Sequence, residues 1–457
     1  MPSPPILIRD HALDHRDYVR GLTGLRGFAA LWVFLYHAWV YAEPRLMTVT
    51  LPGVTLDLTP LFSMGWAGVD FFFVLSAFLL ALPFAHWALG ENDYPSIPRY
   101  LWRRFKRIFP AYWAQLLVVL CVAALSGFYA FPDGRGLLAH AAMFFNLPPW
   151  WVSPMNSVWW TLPTEFLFYV LLVPLSLLLK HRLTRFILLA LVAVAWLYRW
   201  WIVDVVSPEP MTRLIDLMGN TLGYFDIFII CTLLAFLYMR QARLQTRRPH
   251  PGVLLGLGVL GVLLVLYSIH WLYGDYWSGH PLLLFKNTLI GCSIASIVMA
   301  VVMGSRIANA VLANRLMMHL GIISYIIYLW HFPIVAALSR GQLQDLDGLA
   351  REAGLDVLVE VHDETELADA LATHATLVGV NNRDLHTFTT DLGATERLRP
   401  LLPEDRTMVT ESGIHTRDDV ARMQACGVGA FLVGEAFMRR EDPGAGLREL
   451  FFEGEES

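Results

Sequence analysis

Arg26 and His37 stand eleven residues apart inside one apolar run, 22–42. At 3.6 residues per turn this is close to three turns, so the two side chains fall near one face of a helix at different depths. Ionisable groups inside a lipid-embedded segment usually face a cavity or a partner. An imidazole, with an ordinary pKa of about 6.5, can take the proton of a hydroxyl, which is otherwise a weak nucleophile. A guanidinium can position an anionic donor or stabilise developing negative charge. Each residue also has a plainer role: Arg26 snorkelling to the membrane edge, His37 bonding a neighbouring helix. Asp70 heads the run GVDFFFVLSAF and Glu165 sits in WWTLPTEFLFY. Each carboxylate is a partner for Arg or His, a member of the site, or simply a cap or ion pair.

The run RRFKRIFPAYW at 103–113 puts Arg103, Arg104 and Arg107 just before a spanning segment. Such a cluster anchors a cytoplasmic loop, or clamps phosphates with rigid donor forks. Near residue 330, SYIIYLWHFP holds Tyr328 and His331. Their types and position read as an aromatic belt at the membrane edge.

These residues need helices to position them. The chain has 457 residues, 56% hydrophobic and only 16% charged. A soluble domain carries roughly 25% charged residues, so an ordinary cytosolic enzyme is excluded for most of the chain. The apolar content also excludes disorder. Long apolar runs recur at 22–42, 65–85, 110–130, 158–179, 185–206, 219–239, 252–272, 282–304 and 316–338. Each approaches the ~20 residues a spanning helix needs, which gives about nine spans; 137–149 is too short to cross and is placed at the interface. Backbone groups in hydrocarbon must bond within their own segment, so the runs should be helices. The basic clusters before the first run and after the second, fourth, sixth and eighth fall on one side if the N-terminus is cytoplasmic. Residues 1–20 lack a cleavable signal pattern.

The net charge of −5 hides a split. Residues 1–338 hold 23 basic and 15 acidic side chains, whereas 339–457 hold 11 and 24. The four cysteines, Cys121, Cys231, Cys292 and Cys426, show no metal spacing and no disulfide framework. No metal cluster and no nucleic-acid patch is legible.

The strings GLTGLRGFAALWVFLYH, GVDFFFVLSAFLLA, RRFKRIFPAYW, SVWWTLPTEFLFY and ISYIIYLWHFP, in this order, resemble the acyltransferase-3 family of integral membrane O-acyltransferases over residues 20–338. The resemblance implies transfer of an acyl group, often acetyl, from cytoplasmic acyl-CoA to a hydroxyl on a glycan, lipid-linked sugar or similar cell-envelope acceptor. It implies that Arg26 and His37 belong to the active site. On that footing His37 is the base, Arg26 positions the donor or stabilises charge, and Glu165 orients His37 or the acceptor. Asp70 completes the candidate catalytic set, and Arg103, Arg104 and Arg107 hold the phosphates of CoA. Acyl-CoA is a co-substrate, with no resident cofactor and no metal, and the setting is a multi-pass protein of the bacterial inner-membrane type. Members of the family continue past the YLWH helix into a further span; here the apolar pattern stops at about Leu338.

After Arg340 the texture changes. Strand-like runs at 355–361, 376–381, 407–412 and 430–436 alternate with segments of helical period, as parallel βα units do. The strings VEVHDE, GVNNRDL, TESGIHT and FLVGEAFMR resemble the second half of indole-3-glycerol-phosphate synthase, a TIM barrel, over residues 346–452. That likeness implies active-site positions at Glu360, Asn381, Arg383, Glu411 and Ser412, and phosphate loops at Gly413 and Gly434. Four strands are half of such a barrel, and the catalytic lysines of that family come from the other half. The open sheet edge invites self-pairing of the half barrel with a second copy.

The expected chain is therefore mainly α: a transmembrane bundle at 1–338, a junction at 339–345, and an α/β half barrel of four βα units at 346–457. The leading reading is a membrane O-acyltransferase fused to an inactive synthase-like tail. The alternatives are an indole-3-glycerol-phosphate synthase of tryptophan biosynthesis, a carboxy-lyase, and a non-enzymatic transporter. An odd number of spans would also put the tail on the side opposite its phosphorylated substrate.

Overall fold

The computed structural model describes residues 20–452 except 42–46, 52–53, 127–128, 146–151, 182, 207–216, 245–248, 273–275, 277–278, 384–389 and 439–441. Arg9, Arg16, Arg182, Arg247 and Arg248 of the basic clusters, and part of the segment 137–149, lie outside the described residues. The chain divides into two compact units, Met1–Val335 and Ala336–Ser457.

Among the described residues the first unit is helical apart from one hairpin. Its helices are α1 (Arg20–Tyr41), α2 (Thr59–Ser63), α3 (Gly68–Ala88), α4 (Ile97–Ser126), α5 (Gly134–Ala142), α6 (Thr161–Leu178) and α7 (Thr184–Trp201). Then follow α8 (Phe225–Leu244), α9 (Pro251–Trp271), α10 (Pro281–Val302), α11 (Arg306–Leu312), α12 (Arg315–Ile322) and the first part of α13 (Ser324–Glu352), whose residues from Ala336 on belong to the second unit. Local signals set several starts. His250 and His280 cap α9 and α10 by accepting from Gly252 N and Leu282 N, each with a proline in the first turn. Asn314 caps α12 by accepting from Met317 N. The antiparallel hairpin of β1 (Thr48–Leu51) and β2 (Val54–Asp57) had no counterpart in the sequence reading.

Among the described residues, seven helices are long and apolar enough to cross a membrane, and eight if α12 and α13, bent by 75° at their junction, form one span. The count of about nine came from treating 22–42 as a span. That run forms the 22-residue helix α1 but is not among those seven. The α3 span, 78% of it buried against protein, runs through the middle of the unit; α9, 28% buried, presents most of its surface outward.

The start of α4 differs from the expected one. Pro110 looked like the first residue of a span, yet the helix begins at Ile97 and runs through Pro110. Proline fits a first helical turn, but here Pro98 takes that place. Arg103, Arg104 and Arg107 consequently ride on the helix instead of preceding it.

Glycines let α1 approach its neighbours closely. A Cβ at Gly24 would stand 1.7 Å from the carbonyl oxygen of Leu312, and one at Gly321 would stand 1.9 Å from that of Thr23. Small residues permit this approach where lipid gives helices no hydrophobic reason to associate.

The second unit is a four-stranded parallel sheet, ordered β3 (Leu358–Val361), β4 (Leu377–Asn381), β5 (Thr407–Glu411) and β6 (Ala430–Leu432). Between and after the strands come α14 (Glu364–Leu371), α15 (Gly393–Leu398), α16 (Arg417–Ala425), α17 (Glu435–Met438) and α18 (Pro443–Phe451). Asp363 caps α14, and Thr416 with Asp419 forms a reciprocal capping box on α16. Val359, Val361, Val378, Val380 and Met408 are buried under these helices.

Candidate functional site

Three helices carry charge to one cavity. Arg26 comes from α1, Arg107 from α4, and Glu165 and Tyr169 from α6. Ser76 of α3, Thr161 of α6, and Ser324, Tyr325 and Tyr328 of α13 add polar groups to the lining. The cavity has a volume of about 50 Å³, room for a few waters. Phe72 and Phe73 add aromatic wall, with Phe72 and Tyr328 meeting edge to face at 5.9 Å.

Glu165 is held by two hydroxyls. Ser76 Oγ and Tyr169 OH each donate to its Oε1 at 2.5 Å. Arg26 feels the charges of Glu165, Arg107 and Arg104. Arg104 also neighbours Tyr100 and Tyr169, and its Nε is buried without a hydrogen-bond partner. Arg103 is exposed on the same helix and is not part of the cavity. The cavity can therefore hold an anionic or strongly polar group against guanidinium donors while a carboxylate balances their charge.

His37 is not in that lining. It lies about 16 Å along α1 from Arg26, three helical turns at 1.5 Å per residue. There it packs against His331 and Phe332 of α13, with ring centroids 4.9 and 5.3 Å away. Its Nδ1 is 3.1 Å from His331 Nε2. Glu165 accepts from Ser76 and Tyr169, and the side chain bonded to His37 is His331. His331 is buried, unlike a residue of an exposed aromatic belt.

Asp70 is fully buried in an ion pair with Lys286, 3.1 Å away. The Lys286 ammonium also sits 4.3 Å from the centre of the Trp66 ring. A second buried pair joins Arg199 to Asp226 through two hydrogen bonds, of 2.8 and 3.2 Å. Arg199 donates further to the carbonyls of Leu284 and Gly223, and Thr288 Oγ1 donates to Asp226. Lys286, Arg199 and Asp226 escaped the sequence reading, although each is a lone charge in an apolar run. Among the described residues no group of three or more His, Cys, Asp or Glu side chains is arranged to hold a metal.

In the second unit, Glu360, Asn381 and Glu411 sit at the C-terminal ends of adjacent strands. Asn381 Nδ2 donates to Glu360 Oε1 at 2.7 Å, and Arg383 N donates to Asn381 Oδ1 at 2.9 Å. Burial and the charge of Glu360 push the Glu411 carboxyl up from its ordinary value. Ser412 and Gly413 follow β5 with φ of 63° and 75°, a turn that a non-glycine residue rarely enters. Asn382 pins this turn by donating to the carbonyls of Glu411 and Ser412 at 3.0 and 3.1 Å. It was not among the predicted residues. Gly434 is exposed, with open space where a side chain would be.

Comparison with known proteins divides the chain in the same two parts. Residues 332–450 match the family model for indole-3-glycerol phosphate synthase. Curated relatives over this part are indole-3-glycerol phosphate synthases. Two from strains of Acidithiobacillus ferrooxidans are 54% identical over 120 residues, 26% of this chain and 46% of theirs. One from Albidiferax ferrireducens is 58% identical over 118 residues, 26% of this chain and 45% of its own. The chain thus spans less than half the length of these relatives. Residues 19–344 match the family model described as an acyltransferase domain, and the match overlaps the other within α13. Seven apolar helices and a match over most of the chain agree: this is a multi-pass membrane protein of the acyltransferase-3 family, with a C-terminal part similar to indole-3-glycerol phosphate synthase.

Proposed function

We propose that the helical unit moves an acyl group, acetyl in the first instance, from acyl-CoA to a hydroxyl of a glycan or another cell-envelope acceptor. The observation that carries this reading is the convergence of Arg26, Arg107 and Glu165 on one cavity inside a bundle of acyltransferase family. Arg104 and Arg107 hold phosphate oxygens of the donor, and Arg103 extends that clamp outward. Arg26 lies three turns from His37, which favours a donor-positioning role for it over a role at the reacting carbonyl. His37 takes the acceptor's proton as its oxygen bonds to the thioester carbon. The tetrahedral intermediate then collapses, the carbon–sulfur bond breaks, and the thiolate takes the proton back from His37. Asp70, tied to Lys286, serves the bundle's integrity.

The proposed setting is a bacterial inner membrane with a cytoplasmic N-terminus, so that the basic clusters and acyl-CoA share one side. The tail is read as half of a barrel, without synthase activity by itself. The test is transfer of label from radioactive acetyl-CoA to the glycan or lipid fraction by the purified chain in proteoliposomes. Label on a hydroxyl acceptor supports the reading. Release of indole-3-glycerol phosphate from its precursor, with no acyl transfer, would reverse the order of the two hypotheses.

A further inference from the structure

The contact between the two histidines fixes where their hydrogens are. His331 Nδ1 lies 2.8 Å from the carbonyl oxygen of Tyr328 and 3.1 Å from that of Ile327. A carbonyl oxygen only accepts, so this Nδ1 carries a hydrogen. His331 is 4% exposed, and burial favours the neutral ring. A neutral ring has one N–H, which leaves a lone pair on His331 Nε2. That lone pair faces His37 Nδ1 at 3.1 Å, so the hydrogen of this bond must come from His37. The same His37 Nδ1 is 3.0 Å from the carbonyl oxygen of Val33, another acceptor. Both neighbours of His37 Nδ1 therefore demand a hydrogen on it. His37 Nε2 is left with the free lone pair.

We propose that His331 is a positioning residue: its Nε2 holds His37 in the tautomer whose own Nε2 is free to take the hydroxyl proton. The inference rests on the reading of His37 as the base. In the other tautomer His37 Nε2 would carry a hydrogen and could not accept one. The bond also survives proton transfer, because a protonated His37 still donates through Nδ1 to His331. A neutral imidazole thus does here what a carboxylate does when it orients a catalytic histidine. It brings no second charge into the bundle. The two histidines are 294 residues apart in sequence, so the arrangement depends on α13 being in place.

The test uses the full chain in lipid nanodiscs with labelled acetyl-CoA. His331→Phe removes the acceptor and should lower kcat by about 10- to 100-fold, the range typical for loss of an orienting partner, with KM for acetyl-CoA within about twofold. His331→Gln should recover most of kcat, since its amide oxygen can accept from His37 Nδ1. Nitrogen-15 spectra of the histidine rings in the unsubstituted protein should show hydrogen on Nδ1 of both. These spectra decide the matter even if the phenylalanine variant does not fold. Unchanged kcat in His331→Phe, equal loss in both variants, or hydrogen on His37 Nε2 would overturn the proposal. His37→Ala separates the two failures. Full activity there removes the base itself, whereas inactivity there beside an active His331→Phe removes only the positioning role.

Discussion

Ser76 and Glu165, 89 residues apart in sequence, are joined by a 2.5 Å hydrogen bond that ties α3 to α6 at the cavity. Tyr169 donates to the same oxygen. A Gln at 165 can still accept both bonds through its amide oxygen, but the charge facing Arg26 is gone. Glu165→Gln should therefore fold normally and lose about tenfold or more in kcat/KM for acyl-CoA, equivalent to ~1.4 kcal/mol or more of transition-state stabilisation. Wild-type kinetics in this variant would remove Glu165 from the site.

The Asp70–Lys286 pair is buried on both sides, at 1% and 5% exposure. Removing one partner strands a charge in the bundle. Lys286→Met should cost about 3–5 kcal/mol, and the double variant Asp70→Asn, Lys286→Met should recover most of it. Thermal unfolding in one detergent compares the three proteins. Additive losses in the double variant would contradict the pairing.

Packing of α1 gives a sharper contrast. A methyl at Gly24 would collide with the backbone of Leu312, while one at Gly256 of α9 meets nothing within 4 Å. Gly24→Ala should destabilise the bundle by about 1–3 kcal/mol and depress acyl transfer, because α1 carries both Arg26 and His37. Gly256→Ala should be neutral or stabilising by up to ~1 kcal/mol through helix propensity. Unfolding midpoints and transfer rates of the two variants check this pair of outcomes.

The tail carries a pH dependence of its own. The hydrogen bond that His362 Nδ1 donates to Glu366 Oε2 holds the imidazole above its ordinary value of 6.5. The folded form thus binds the proton more tightly than the unfolded form does. The stability gained is full below pH 6.5 and is lost as pH rises through the raised value. The protection of residues 358–371 against hydrogen exchange in the full chain, with the intrinsic rise of the exchange rate with pH divided out, should fall over that window. Glu366→Gln should flatten the response; an unchanged profile would show that another group controls it.

Charge against an apolar background made Arg26, Glu165 and Asp70 visible in the sequence, since lipid penalises such residues unless something holds them. The same rule could have found Lys286, Arg199 and Asp226. The period of the runs could not say which of these charges meet, because their partners come from distant helices. It also could not reveal that His331 lies against His37. The arginines of α4 were placed just before the helix, because the apolar run begins at residue 110 whereas the helix itself begins at Ile97. In the tail, the alternation of strand-like and helix-like segments was legible to within a few residues. The role of Asn382 was not, since it depends on how β4 and β5 sit side by side.

The central claim is that His37 takes the acceptor's proton during acyl transfer. The initial rate of label transfer from acetyl-CoA by His37→Ala, in proteoliposomes where its thermal unfolding matches wild type, tests it most directly. A fall of about 100-fold or more with binding of acetyl-CoA retained is the predicted result. Transfer at the wild-type rate would contradict it.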